Sequence, residues 1–286
     1  MSSVNPDLPN YNVGNSNSSW EDAFMSSLKW INTIAFLAMI GVNIAANLIP
    51  IGGNTTGDVS KAYPNLFTPA PITFAIWGVI YFMMLLFVIY QWGFIGSAKY
   101  TDAVRSSTGV FFATSCAINI AWIFAWHMQK IELSTLFIVL LLVNLIIITK
   151  KLNAIPISFL NSLMVKVGFD IYFGWIIAAT IANISVMLTK MNWDGFGLSE
   201  VTWTIIILLV GALIGAAVVF LDNRHFAGLA IIWAYIGIMI KHISDLGYSG
   251  RYNSIIITSA VGISIILCVI LLRVIVPAQK VSSDFG

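Results

Sequence analysis

The chain has 286 residues, of which 59% are hydrophobic and only 9% charged. A soluble domain carries about 25% charged residues, so this composition excludes an ordinary globular enzyme. The 14 basic and 12 acidic residues leave a net charge of +2, too balanced and too sparse to follow a phosphate backbone, which excludes nucleic acid as a partner.

Residues 1–27 are rich in Asn, Ser and Pro and contain no apolar run. They read as a disordered polar tail without the basic start and hydrophobic stretch of a secretory signal. From Leu28 onward, long apolar segments alternate with short polar ones. A membrane helix needs about 20 mainly apolar residues, and eight segments are expected to serve: Leu28–Ile49, Ile72–Phe94, Val110–His127, Leu133–Ile148, Val167–Leu188, Trp203–Leu221, Gly228–Ile243 and Ser254–Val276. They lack the period-2 alternation of barrel strands, and backbone polar groups in a bilayer must be satisfied within the segment, so they read as helices. The expected fold class is all-α, a polytopic membrane bundle of about eight spans. Nine of the Lys and Arg residues fall on the face of the tail and five on the opposite face. This bias places both termini in the cytoplasm, at the plasma membrane if the source is bacterial. On the opposite face Pro50–Pro71 forms the longest loop, long enough to be a gate as well as a connector.

No metal-ligand or nucleophile motif is present. His127, His225 and His242 lie at predicted helix ends and read as solvated or interfacial; Cys116 and Cys268 sit in apolar runs and read as buried small hydrophobes. No catalytic residue, metal site or covalent cofactor is expected. Asp170 is the one acid placed within a span, and Lys166, one turn earlier, is its expected i,i+4 partner. Because an acid in a membrane is costly, Asp170 is also a candidate proton-coupling residue.

Aromatic and amide side chains recur at helical spacing. Trp77 and Tyr81 share a face of the second span. Asn119, Trp122 and Trp126 share one of the third, and Tyr172, Trp175, Ala179 and Asn183 line the fifth. Asn in hydrocarbon needs a hydrogen-bond partner, and flat apolar walls with a few polar handles suit a small-molecule site. Asn43 and Asn47, near the end of the first span, are placed to close such a pocket under the long loop, as a gate. Gly211 and Gly215 read as a helix-packing motif. Of the ten Trp residues, Trp20, Trp30, Trp92, Trp193 and Trp203 read as tail residues or interfacial anchors, and Trp233 has no assigned role.

These stripes resemble the TspO/MBR family, also called translocator protein, peripheral benzodiazepine receptor or tryptophan-rich sensory protein. The segment Pro64-Asn65-Leu66-Phe67-Thr68-Pro69-Ala70-Pro71 leading to Trp77 and Tyr81, then Asn119-Ile120-Ala121-Trp122, then Tyr172, Trp175, Ala179 and Asn183 follow the family's motifs in order. The resemblance runs from about Leu28 to Asn192. It implies a five-helix unit with a pocket for porphyrins or other flat hydrophobic ligands, lined by Trp77, Tyr81, Asn119, Trp122, Tyr172, Trp175, Ala179 and Asn183. Pro71 stands where the family usually has a further Trp, and Asp170 where it has Pro or an apolar residue. Residues 193–286 add three spans and a short tail, as in a longer branch of the family.

The expected function is therefore binding of a porphyrin, a haem-like molecule or another flat hydrophobe, as sensor or translocator, with membrane lipids and the small ligand as partners. The resemblance also implies homodimers, although no residue here fixes an interface. A proton-coupled secondary transporter using Asp170 is one alternative, and a porphyrin-degrading enzyme is another.

Overall fold

The computed structural model describes residues 18–49, 51–95 and 98–276. Ten helices follow one another: α1 (Ser18–Leu48), α2 (Thr56–Ala62), α3 (Ile76–Gln91), α4 (Ala98–His127), α5 (Ile131–Asn153), α6 (Phe159–Met164), α7 (Lys166–Lys190), α8 (Glu200–Asp222), α9 (His225–Ile243) and α10 (Asn253–Ile275). Eight of the helical segments are long and apolar enough to cross a membrane, and no strand occurs among the described residues. The all-α, eight-span expectation holds. Eight crossings also bring both ends of the described chain to the same face.

Several boundaries move outward, while the second span ends at Gln91, short of Phe94. Spans three, four and seven are longer than their apolar runs, because polar residues at the ends join the helix when its backbone bonds continue. The predicted start of the third span, Val110, coincides with a break inside α4, where Gly109 takes φ 45°. The expected tail ends early, since α1 begins at Ser18; residues 1–17 lie outside the described part, and so do Trp20's side chain and Lys280.

Two layers of helices meet at α7. The helices α5 and α3 pack on one side of it, with α4 against α5 and α1 against α4, while α9 packs on the other and carries α8 and α10 behind it. The close approach of α7 to α9 depends on Gly174, where a Cβ would collide with the Ala227 backbone. Gly211 and Gly215 do act in packing: Gly211 abuts the Tyr235 ring of α9 and Gly215 abuts Ile266 of α10.

At the tail face, the expected Lys166–Asp170 pair gives way to a longer-range one. Arg224 Nη1 donates to Asp170 Oδ1 at 2.6 Å and Arg224 Nη2 to the Thr149 carbonyl, while Lys166 Nζ donates to the Ile155 carbonyl at 2.7 Å. Arg224 is 5% exposed and Asp170 9%. A guanidinium so enclosed takes the carboxylate that satisfies it bidentately with a carbonyl, whereas the more mobile lysine reaches a helix-end carbonyl. Cys116 is buried as expected, but Cys268 is exposed on the outer side of α10.

Anchoring aromatics mark both faces. Trp92 meets Trp30 edge-on at 4.6 Å beneath Lys29, and Trp193 meets Trp203 at 4.9 Å on the opposite face.

Removing one member of a buried ion pair strands the other. Arg224→Ala is expected to destabilise the detergent-solubilised protein by about 3–5 kcal/mol, read as a lower Tm. The double variant Arg224→Met with Asp170→Leu should regain most of the loss.

Candidate functional site

Three indoles from three helices converge beneath the long loop. Trp77 of α3 lies 5.9 Å from Trp122 of α4 and 6.2 Å from Trp175 of α7, and Trp122 stacks on Trp126 at 6.1 Å. Phe74, in the 3₁₀ turn ahead of α3, meets Trp175 edge-on at 6.0 Å. They line a cavity whose walls also include Ala178, Ala179 and Ala182 of α7 with Ala234 and Ile238 of α9, and whose cover is the loop at Thr56, Ser60 and residues 67–69. Small alanines leave the space that the indoles do not fill. The free volume is about 50 Å³, enough for one or two waters and far below the roughly 300 Å³ at which drug-sized pockets begin. Any larger occupant therefore enters by parting these rings.

The polar groups divide into two sets. Asn183 is at the cavity: its Oδ1 accepts from Trp122 Nε1 at 3.0 Å and from Ser134 Oγ at 2.9 Å. Trp175 Nε1 is buried without a hydrogen-bond partner. The second set is a closed knot linking α1, α3, α4 and α7. Tyr81 Oη donates to Asn43 Oδ1 at 2.6 Å, Asn43 Nδ2 donates to Asn119 Oδ1 at 2.8 Å, and Asn119 Nδ2 donates to Tyr172 Oη at 3.3 Å. An amide in hydrocarbon satisfies itself with whatever polar group the neighbouring helix offers.

Of the eight residues expected to line the pocket, Trp77, Trp122, Trp175, Ala179 and Asn183 lie on the cavity, and Tyr81, Asn119 and Tyr172 lie in the knot beside it. Of the expected gate or coupling residues, Asn43 is the centre of the knot. Asn47 is exposed and donates back to the Asn43 carbonyl at 2.8 Å, so it closes nothing. Asp170 belongs to the separate pair with Arg224.

The long loop is a lid, tied down on two sides. Toward α4 and α5, Trp126 Nε1 donates to the Thr56 carbonyl at 3.2 Å, Thr56 Oγ1 lies 3.1 Å from His127 Nε2, and Tyr63 Oη donates to Gln129 Oε1 at 3.1 Å. Toward the last three helices, the Leu66 amide donates to Glu200 Oε1 at 2.9 Å, and His242 Nε2 donates to the Leu66 carbonyl at 2.9 Å. The Ala70 amide donates to the Gly237 carbonyl at 3.0 Å, and Trp233 Nε1 to the Thr73 carbonyl at 2.8 Å. Gly237 is required there, because a Cβ would overlap the Thr73 side chain. Burial, reinforced by Glu200's charge, raises the Tyr248 phenol above its usual value, so it remains a donor to the Asn65 carbonyl.

The histidine expectation is thus corrected: His127 and His242 are fully buried lid anchors, because each finds a partner on the loop that crosses it. Trp233 acquires a role as well. Among the residues that sequence reasoning passed over are Glu200, Ala234 and Ile238, all contributed by the last three helices. A mid-span Trp without a stripe, Trp233, was the available signal.

These observations define a multi-pass α-helical membrane protein with an aromatic chamber under a tethered loop. Residues 29–272 match the family described as TSPO-like protein, and the chain belongs to it. The matched region begins in α1 and ends in α10. No curated protein and no solved structure matches the chain.

Two outcomes test the lid. Glu200→Ala removes the charged acceptor of the Leu66 amide, and for a solvent-exposed carboxylate this is worth about 1 kcal/mol. Limited proteolysis within 50–70 should then run roughly fivefold faster. In α2, Asp58 Oδ2 accepts from Thr55 Oγ1 at 2.6 Å and from the Thr55 amide at 3.1 Å, which holds the exposed carboxyl below its usual value. A depressed carboxyl stabilises above its unfolded pKa and loses that contribution as pH falls through the folded one. Protection factors of the α2 amides, taken relative to the intrinsic exchange rate at each pH, should therefore hold at neutral pH and fall below about pH 4.

Proposed function

We propose that this protein binds a flat hydrophobic molecule of the porphyrin class in the aromatic chamber and acts as a sensor or carrier for it. The observation that carries the reading is the convergence of Trp77, Trp122 and Trp175 around one cavity, with a buried indole N–H on Trp175 that no group among the described residues satisfies. Indole faces suit a planar π-system. Asn183 and Trp175 Nε1 are the polar handles that would orient its edge, and the lid keeps water away. The family match supports the same reading.

Transport by proton coupling at Asp170 has less support, because that carboxylate is engaged by Arg224 outside the cavity lining. Both termini are proposed to face the cytoplasm on the Lys and Arg bias. Membrane lipids surround the bundle as its constant partners.

Protoporphyrin IX added to the solubilised protein should quench Trp emission saturably. Trp122→Ala should weaken binding about tenfold, the scale of one lost aromatic stack, whereas Trp30→Ala, at the membrane face, should not. Unquenched emission from the wild-type protein would sink this reading.

A further inference from the structure

A second, larger space lies next to the chamber. Between α7 and α8 runs a cleft of about 470 Å³, walled by Ile181, Ser185 and Leu188 on one side and by Trp203 and Ile207 on the other. It exists because α8 packs chiefly on α10 and touches α7 only slightly. Ile184, Val210 and Ile214 on its rim are exposed on the apolar flank of the bundle, so along that flank the cleft opens toward the bilayer, while Asp194 and Glu200 line its end at the membrane face. On α7 the cleft-facing residues Ile181, Ser185 and Leu188 and the chamber-facing residues Ala178, Ala182 and Val186 occupy adjacent stripes of one helix.

Phe67 lines both spaces, and its side chain is 2% exposed. The two routes into the chamber differ in what they break. Lifting the lid toward water severs its bonds to Trp126, His127, Gln129, Glu200 and His242. A phenyl ring holds no hydrogen bond, so Phe67 turns to another rotamer without losing one. The backbone under it stays pinned, with the Leu66 amide and carbonyl both bonded and the Phe67 amide donating to Asn65 Oδ1 at 3.1 Å. A fixed backbone carrying a buried apolar ring that no hydrogen bond holds, between the two spaces, is built as a swinging door would be.

We propose that the α7–α8 cleft is the port through which a flat hydrophobe dissolved in the bilayer reaches the aromatic chamber, with the Phe67 ring as its gate. The proposal rests on the binding reading above and adds to it a route. A route specific to this architecture follows, since one wall of the port is α8 and the lid segment bearing Phe67 is held by Glu200 and His242.

The test uses the full chain in nanodiscs, with protoporphyrin IX supplied in protein-free vesicles and binding followed by the shift of its Soret band. Narrowing the cleft from either side, with Ser185→Phe on α7 or Ile207→Trp on α8, should slow association and dissociation together by about tenfold while the Kd stays within twofold. Phe67→Ala should speed both. Two side chains from different helices guard against one variant misfolding, and an unchanged Kd reports an intact chamber. If wild type binds but neither narrowing variant changes the rates, the route is overturned and the binding reading stands. If the narrowing variants release a co-purified phospholipid with rates unchanged, the cleft is a lipid seat and the route is likewise overturned. If wild type gives no Soret shift at all, binding and route fall together.

Discussion

A guanidinium cannot be left unpaired among apolar side chains, and that constraint governs how the last three helices sit on the first five. Arg224, at the start of α9, finds its partners on α7 and at the end of α5. The pair is a matter of register more than of net stability, because the desolvation of two buried charges offsets most of their attraction. With the first turn of α9 pinned there, Gly174 lets the α9 backbone settle directly on α7. One helical length further on, Gly237, Trp233 and His242 arrive where the lid passes.

The chamber depends on this chain of contacts. Its floor and three of its walls belong to α3, α4 and α7, but Ala234 and Ile238 of α9 complete it, and its cover is held by residues from α8, α9 and the loop that follows α9. The three C-terminal helices are therefore part of the site and not an appendage to a five-helix unit. The slight contact of α8 with α7 also leaves the lateral cleft, so the same addition covers the chamber and sets beside it a second space that shares the Phe67 ring.

The membrane character, the number of spans and the aromatic stripes were legible in the residues, because hydropathy and the 3.6-residue period act locally. Trp77, Trp122, Trp175, Ala179 and Asn183 share a cavity for that reason: each was assigned to a helix face, and faces survive packing. Tyr81, Asn119 and Tyr172 were on the right faces too, but a face does not say which polar group will be used up by which. Asn43 reached across from α1 and engaged both Asn119 and Tyr81. Likewise the three histidines, at helix ends, looked interfacial; only the course of the loop decided that His127 and His242 would be covered.

The sequence by itself determined an all-helical membrane protein with three aromatic faces, since burying apolar surface in lipid and satisfying the backbone within each segment leave no other arrangement. Only the tertiary structure decided that Asp170 pairs with Arg224 across 54 positions and not with Lys166 one turn away. It alone decided that Glu200, Trp233 and His242 hold a lid whose bonds reach across 134 to 176 positions. Such pairings depend on how helices dock, and docking is set by interlocking of side chains and close glycine contacts, which no local pattern encodes.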